Sequence, residues 1–147
     1  MAPVPEFCSI LPRLFADSSI SLFDVSDPAH PTRLANATLG QGWSLAESDH
    51  HAFLYWPQTN LAVVPFGQQA VAMRVSRAAG IVELGRIVHS QARESQLPQI
   101  DRSLVAGDAL LTVSSAGVAA NGLSGLANLG WAPFPSTTPA PTPLPSP

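Results

Sequence analysis

The chain has 147 residues, of which 46% are apolar and only 12% are charged, and its formal net charge is -3. This apolar fraction excludes a chain that is disordered throughout, because it supplies enough surface for a core. Lysine is absent, and the seven arginines are spread from Arg13 to Arg102 without forming a basic cluster. The composition therefore argues against nucleic-acid binding. No apolar run reaches the length of about 18–20 residues that predicts a membrane span.

The two ends of the chain predict little regular structure. Residues 1–18 are expected to form a weakly ordered segment, and Pro3, Pro5 and Glu6 interrupt any apolar stretch of a signal peptide. Cys8 is the only cysteine, so an intrachain disulfide is excluded. Residues 132–147 contain seven prolines, which predict a disordered or polyproline II tail. Such a tail is either simply solvated or a ligand for a proline-binding groove.

Between these ends, residues 19–131 predict a series of short strands. The segments are rich in Val, Ile, Leu, Phe and Thr and are bounded by turn residues. They are Ser19–Val25, Thr32–Leu39, Trp43–Glu47, Ala52–Trp56, Leu61–Phe66, Ala70–Ser76, Ile81–Val88, Ser103–Ala106, Ala109–Ser114 and Gly117–Ala120. A possible helical turn is expected only at Ser124–Leu129. The pattern predicts an all-β chain.

A weak internal repeat divides this region. Val25-Ser26, Val75-Ser76 and Ala120-Asn121 are each followed by a leucine nine residues after the first residue of the pair, and the copies start 50 and 45 residues apart. A period of about 40–50 residues with four strands per unit is typical of the blades of a β-propeller. The sequence therefore predicts antiparallel four-stranded blades. About two and a half are expected, with the first blade represented by Ser19–Leu39, the second by Trp43–Val88 and the third by Ile100–Gly130.

The segment Leu22-Phe23-Asp24-Val25-Ser26-Asp27-Pro28 resembles a C-terminal β-propeller domain family of secreted prokaryotic proteins, which is distantly related to WD40 repeats. Further matching stretches follow in order between about Ser19 and Trp131. They are Asp49-His50-His51-Ala52-Phe53-Leu54, Leu61-Ala62-Val63-Val64-Pro65, Asp101-Arg102-Ser103-Leu104-Val105-Ala106-Gly107-Asp108, Val113-Ser114-Ser115-Ala116-Gly117-Val118 and Leu126-Ala127-Asn128-Leu129-Gly130. Ser115 stands where the family pattern leads us to expect an aspartate. The resemblance covers only the C-terminal portion of such a propeller.

The resemblance implies an extracytoplasmic, secreted protein and a partial propeller. We expect a non-enzymatic binding scaffold whose partner is unknown, with a protein or a cell-surface ligand as the candidates. Self-association through open blade edges is also expected, because unpaired strand edges invite pairing. The alternatives are a contribution to an enzyme whose site lies in a complete propeller channel, and a truncated gene product without an independent function.

A group of turn-forming residues follows the first predicted strand. Asp24 and Asp27 flank Val25-Ser26, and Asp27 precedes Pro28. An aspartate in such a position suits a turn, because its carboxylate accepts backbone N–H bonds. The alternative is a cation site, but such a site needs about six oxygen ligands or more. We therefore predict structural turn roles for both aspartates and for the proline.

Asp49, His50 and His51 form the most chemically suggestive cluster of the sequence. In a strand, adjacent side chains point to opposite faces, so two neighbouring histidines cannot both ligate one metal unless the backbone bends. The preferred interpretation is structural, with one histidine between sheets and hydrogen-bonded to an aspartate, as in the His–Asp pairs of WD40-like blades. A metal site that uses Asp49 and His50 is the weaker alternative, as is general-base catalysis.

Arg102 and His50 are the candidate ligand-binding residues. Arg102 begins a predicted strand, and in a propeller the first residues of inner strands face the central channel, where Arg102 would contact an anionic ligand. The preferred interpretation is structural, an ion pair with Asp101 or Asp108. Asp108 is also expected to form a turn after Gly107. No catalytic residue and no cofactor is predicted, because the chain has no G-x-S-x-G motif, no lysine-containing phosphate loop and no G-x-G-x-x-G.

Overall fold

The computed structural model describes residues 17–92 and 96–135. Within these ranges the chain forms ten β-strands, two short 3-10 helices and no α-helix. The strands are β1 (Asp17–Asp24), β2 (Thr32–Gln41), β3 (Leu54–Trp56), β4 (Leu61–Phe66), β5 (Gln69–Ser76), β6 (Gly80–Ile87), β7 (Ile100–Ala106), β8 (Ala109–Ser114), β9 (Gly117–Gly122) and β10 (Asn128–Pro133). The 3-10 helices, Leu45–Glu47 and His50–Ala52, lie between β2 and β3.

The strands form three sheets, and within each sheet consecutive strands of the chain pair antiparallel. The first sheet has two strands, β1 and β2. The second sheet has four strands in the order β3-β4-β5-β6, and the third has four in the order β7-β8-β9-β10. The predicted fold class is confirmed: the protein is an all-β chain of antiparallel four-stranded sheets, consistent with a partial β-propeller.

Two-residue turns join several of these strands. Gly107, with φ of 58°, and Asp108 connect β7 to β8, and Gly67, with φ of 56°, and Gln68 connect β4 to β5. Glycine suits these left-handed positions because it has no Cβ to clash with the backbone. The turns bring consecutive strands side by side.

The three sheets stack face to face, and the second sheet contributes to both cores. Alternate residues along a strand point to opposite faces, so β4 and β5 serve the two cores in turn. One core joins the second sheet to the first through Ile20, Leu22, Leu39, Ala62, Val64, Phe66, Val71, Met73 and Val75. The other joins it to the third through Leu61, Val63, Ala70, Ala72, Ile87, Ile100 and Leu110. All six residues of β4 are consequently buried.

The internal repeat falls at equivalent places of the three sheets. Val25 directly follows β1, Val75-Ser76 ends β5, and Ala120-Asn121 lies close to the end of β9. The leucines that follow lie on the next strand in each case, namely Leu34 on β2, Leu84 on β6 and Leu129 on β10. The first sheet therefore corresponds to the last two strands of each four-stranded sheet.

The predicted strand Trp43–Glu47 is wrong. Ser44 instead caps the first 3-10 helix, because its Oγ accepts the Ala46 N–H at 3.2 Å while Glu47 Oε1 accepts the Ser44 N–H at 3.3 Å. The Ser44 hydroxyl also donates to the Pro65 carbonyl oxygen at 2.5 Å and is buried. The predicted strand Ala52–Trp56 begins only at Leu54, since Ala52 belongs to the second 3-10 helix.

The possible helical turn at Ser124–Leu129 is also absent from the structure. Leu126 has φ of 56°, which a right-handed helix does not allow, and β10 begins at Asn128. The side-chain amide of Asn121 donates to the Leu126 carbonyl oxygen at 2.9 Å and holds this loop against β9.

The predicted boundaries of the strand region are too narrow at both ends. β1 begins at Asp17, inside the segment that was expected to be weakly ordered, and β10 continues to Pro133, inside the expected tail. Pro133 is tolerated because β10 is the edge strand of its sheet, where a missing N–H costs no ladder bond. The predictions for residues 1–16 and 136–147 lie outside the described residues. In the described part of the chain, no helix has the length and apolar character needed to cross a bilayer.

Candidate functional site

Asp49, His50 and His51 lie in a tight turn and not in a strand. Asp49 is the N-cap of the second 3-10 helix, and its Oδ1 accepts the His51 N–H at 2.9 Å. The turn ends where Phe53 returns to extended backbone and leads into β3. Because the backbone here is a 3-10 helix, His50 and His51 do not point to opposite faces as adjacent residues of a strand do.

The two imidazole rings lie next to each other on the surface. Their centroids are 4.0 Å apart with an interplanar angle of 37°, and both side chains are exposed. His51 Nδ1 lies 3.4 Å from Asp49 Oδ1. Asp49, His50 and His51 each offer one potential metal-ligand atom, and these three atoms all lie within 4.8 Å of one another. In residues 17–92 and 96–135, this is the group of His, Cys, Asp or Glu side chains that is close enough to share an ion.

Arg102 joins this cluster from the neighbouring sheet. It lies on β7, and its Nη2 donates to Asp49 Oδ2 at 2.5 Å while its Nη1 donates to the Asp101 carbonyl oxygen at 2.8 Å. The salt bridge therefore connects the turn before the second sheet to the third sheet, and it does not use the carboxylates of Asp101 or Asp108 that the sequence suggested. The two candidate ligand-binding residues, Arg102 and His50, are thus brought together around Asp49.

The charge of Asp49 is stabilised by its surroundings. The hydrogen bond from the His51 N–H lowers the pKa of this carboxyl below its usual value, and the Arg102 guanidinium adds to the effect. Asp49 is therefore a carboxylate at neutral pH, and the cluster combines one anion, one cation and two imidazoles.

The turn residues after β1 lie at a separate place. Asp24 Oδ1 accepts the Ser26 N–H at 3.0 Å, and Asp24 Oδ2 accepts a hydrogen bond from Arg77 in the turn between β5 and β6 of the second sheet. The Arg77 guanidinium, with help from the Ser26 N–H, lowers the pKa of Asp24 to about 2. The carboxylate therefore connects the first two sheets.

Asp27 and Pro28 form the turn that follows. Asp27 Oδ1 accepts the Ala29 N–H at 3.0 Å, and the His30 N–H donates to the Asp27 carbonyl oxygen at 3.0 Å. Pro28 occupies the second position of this turn, where its fixed φ is favourable. His30 Nδ1 lies 2.9 Å from Asp27 Oδ2, and both side chains are exposed.

Asp108 has the turn role that the sequence predicts. It lies in the turn between β7 and β8, and its carbonyl oxygen accepts the Leu123 N–H at 3.2 Å. It is not among the residues that the structure gathers around Asp49.

The histidine that lies between sheets is His89, which the sequence analysis does not single out. It is fully buried just after β6, with Nδ1 at 2.7 Å from Ser114 Oγ and Nε2 at 2.9 Å from Thr112 Oγ1 on β8. Its ring meets Trp131 of β10 edge-on at a centroid distance of 4.8 Å. Burial lowers its pKa, so the neutral ring is favoured.

The interpretation that one of His50 and His51 lies between sheets is therefore wrong, because both rings are exposed while His89 links the second sheet to the third. The partners of the buried histidine are hydroxyls and not an aspartate. A sequence signal was present: Thr112 and Ser114 are polar residues at alternate positions of a strand, on the face that also carries buried Leu110.

The stacked antiparallel sheets and their repeat define a blade-type β protein. A family model described as a beta propeller domain matches residues 13–126. This match spans well over half of the sequence, and the chain belongs to the β-propeller domain family. Comparison with curated proteins and with solved structures gives no significant match.

Proposed function

We propose that this chain is a non-enzymatic binding scaffold that works outside the cytoplasm and associates with protein through the outer face of its third sheet. The observation that carries the proposal is an apolar sheet face that belongs to neither core of the described residues. The extracytoplasmic location rests on the resemblance to secreted propeller proteins. Fractionation of cells that express the gene tests it, and recovery of the chain from the cytosol alone would contradict it.

Strand alternation separates the two faces of the third sheet. Leu110, Thr112 and Ser114 of β8 are buried toward the second sheet, whereas Leu111 and Val113 between them point the other way. We define the outer face by five aliphatic side chains that share this direction on three paired strands. They are Leu104 on β7, Leu111 and Val113 on β8, and Val118 and Ala120 on β9.

The outer face of the third sheet carries aliphatic side chains in adjacent pairs. Leu104 lies opposite Leu111, and Val113 lies opposite Val118. Leu104 is 42% exposed. In contrast, the first sheet carries the polar pair Ser21 and Asn36, which hydrogen-bond each other at 2.8 Å. A contiguous apolar patch of this kind is typical of a protein–protein contact.

The occupant that we propose for this face is a second copy of the chain. The protein already packs like sheets face to face twice, with Ala, Val, Leu and Ile side chains filling both cores. The outer face presents the same kinds of side chain, and the arginine at its edge, Arg102 opposite Val113, is held in the salt bridge to Asp49. Two such faces are therefore chemically complementary across a two-fold axis. The third sheet of one copy would then cover the third sheet of the other.

Sedimentation equilibrium of the full chain over a range of concentrations tests this arrangement. We expect a reversible dimer for the wild-type protein and a dissociation constant at least about tenfold higher for Leu104→Asp, because a charge would be buried in the apolar contact. Leu34→Asp is the matched control, since Leu34 on β2 is 39% exposed and lies away from this face. A wild-type protein that stays monomeric, or equal effects of the two variants, would exclude the proposed face.

A further inference from the structure

The turn that carries Asp49, His50 and His51 removes the geometric objection to a shared metal ion. Strand residues would send the two imidazoles to opposite faces, but the second 3-10 helix leaves their centroids 4.0 Å apart. Both rings are exposed and so can rotate toward a common point. The candidate ligand atoms already lie within 4.8 Å of one another, so small side-chain rotations bring them to one ion.

The types of ligand select the class of ion. Two imidazole nitrogens with one carboxylate oxygen suit borderline divalent transition metals such as Zn²⁺, Ni²⁺ and Cu²⁺. Ca²⁺ and Mg²⁺ prefer sites built from oxygen ligands and are poorly served here. Three protein ligands also leave a coordination position for water.

We propose that Asp49, His50 and His51 bind one divalent transition-metal ion at the junction of the second and third sheets. The ion takes one nitrogen from each imidazole and an oxygen of Asp49, and water completes its coordination.

The existing contacts of Asp49 are compatible with such an ion. A carboxylate offers about four acceptor positions, and the two oxygens of Asp49 use one each for the His51 N–H and the Arg102 guanidinium. Lone pairs therefore remain for a metal while the salt bridge between the sheets stays in place. The positive charge of Arg102 lowers the affinity for a cation, so binding in the micromolar range or weaker is expected.

The Asp27–His30 pair provides a matched control within the same protein. It is an exposed aspartate–histidine pair with Nδ1 and Oδ2 2.9 Å apart, but it has no second imidazole beside it. A single histidine with one carboxylate should bind the same ions much more weakly. The difference in metal affinity between the Asp27–His30 pair and the Asp49 cluster measures the contribution of the paired histidines.

Isothermal titration of the full, untagged chain with ZnCl₂ and NiCl₂ is the first test. All proteins carry Cys8→Ser, because a free thiolate also binds zinc. We expect one ion per chain with a dissociation constant below about 1 mM, no comparable binding of MgCl₂ or CaCl₂, and a loss of at least tenfold in affinity for His50→Ala and for His51→Ala. His30→Ala should bind as the parent protein does.

Imidazole proton NMR of the parent protein is a second test that requires no folded variant. Substoichiometric Ni²⁺ should broaden the resonances of His50 and His51 before those of His30 and the buried His89. Binding that is absent up to about 1 mM, that survives both histidine substitutions, or that broadens His30 equally would overturn the proposed site.

Discussion

At the scale of single residues, the buried His89 is the most informative side chain of the structure. It comes from the connection after the second sheet, and both of its ring nitrogens find hydroxyl partners on the third. A buried polar ring is tolerated only when its nitrogens are hydrogen-bonded, because a lost partner costs about 1–3 kcal/mol. The hydroxyls of Thr112 and Ser114 can each donate or accept, so they satisfy a neutral imidazole in either tautomer.

This environment predicts a pH dependence of stability. The groups that contact the ring, Ser114, Thr112 and Trp131, carry no charge that would stabilise an imidazolium. Because burial lowers the pKa of His89 in the folded state, the unfolded chain takes up the proton first as the pH falls. The stability that depends on the neutral ring is therefore present above the unfolded pKa of about 6.5 and decreases below it.

We expect the free energy of unfolding to decrease between about pH 6.5 and pH 5, by at most about 1.4 kcal/mol per pH unit from this one residue. Urea denaturation at several pH values measures the slope. The His89→Gln variant should be less stable than the wild-type protein at all of these pH values. Its free energy of unfolding should, however, lack the part of the pH dependence that comes from His89. An unchanged slope in the variant would show that His89 is not its source.

At the scale of the secondary-structure elements, Gly117 shows how closely β9 and β10 pack. It begins β9, pairs with Pro133, and has φ of 157°. A Cβ at this position would lie 2.8 Å from Trp131 Cζ2 and even closer to the Ala132 carbonyl oxygen. The edge strand β10 can lie against β9 only because residue 117 has no side chain.

Gly117→Ala should therefore destabilise the protein by about 1–3 kcal/mol, since overpacking forces the neighbouring strand to move. Gly130→Ala on the paired strand is the control, because its added Cβ would meet nothing within 4 Å. It should change the free energy of unfolding by less than about 0.5 kcal/mol. Chemical denaturation compares the two variants, and equal losses would contradict the packing seen at Gly117.

The sequence predicts most of the strands well, and the exceptions have physical causes. β-branched and aromatic runs between glycine turns identify β4 and β5, because hydrophobic runs of this length suit buried strands. Trp43–Glu47 is predicted as a strand because of its apolar residues. Its serine and glutamate instead form a capping box that stabilises a 3-10 helix. The second 3-10 helix, His50–Ala52, decides the candidate site, since the placement of His50 beside His51 depends on local backbone that strand periodicity does not reveal.

Contacts between sheets are the part that the sequence could not supply. Arg102 and Asp49 are 53 positions apart, as are Arg77 and Asp24. Many acidic partners are available to each arginine in the sequence, and only the stacking of the sheets selects among them. For the same reason the sequence did not show that His89, and not His50, is the buried histidine.

At the scale of the whole molecule, the protein is a stack of three sheets with the second in the middle. Its β4 is buried along its whole length and is paired on both sides, by β3 and β5. The first sheet contributes only two strands, and β1 pairs with β2 alone among the described strands. Each sheet is stabilised by its neighbour, as in other stacked β architectures, so stability should differ between the middle and the ends.

Hydrogen exchange measured by mass spectrometry should reveal this difference. Backbone amides of β4 and β5 are expected to exchange most slowly, because their ladders are buried between two cores. Amides of β1 and β2 should exchange faster, since a two-stranded sheet is marginal alone. Here that sheet depends on one core and on the hydrogen bonds that Arg77 donates to Asp24 and Arg86 donates to the Leu39 carbonyl oxygen. Leu22→Ala removes a buried side chain from that core and should cost about 2–5 kcal/mol. It should accelerate exchange in the first sheet more than in β8. Uniform acceleration throughout the chain would indicate instead that the three sheets unfold as a single cooperative unit.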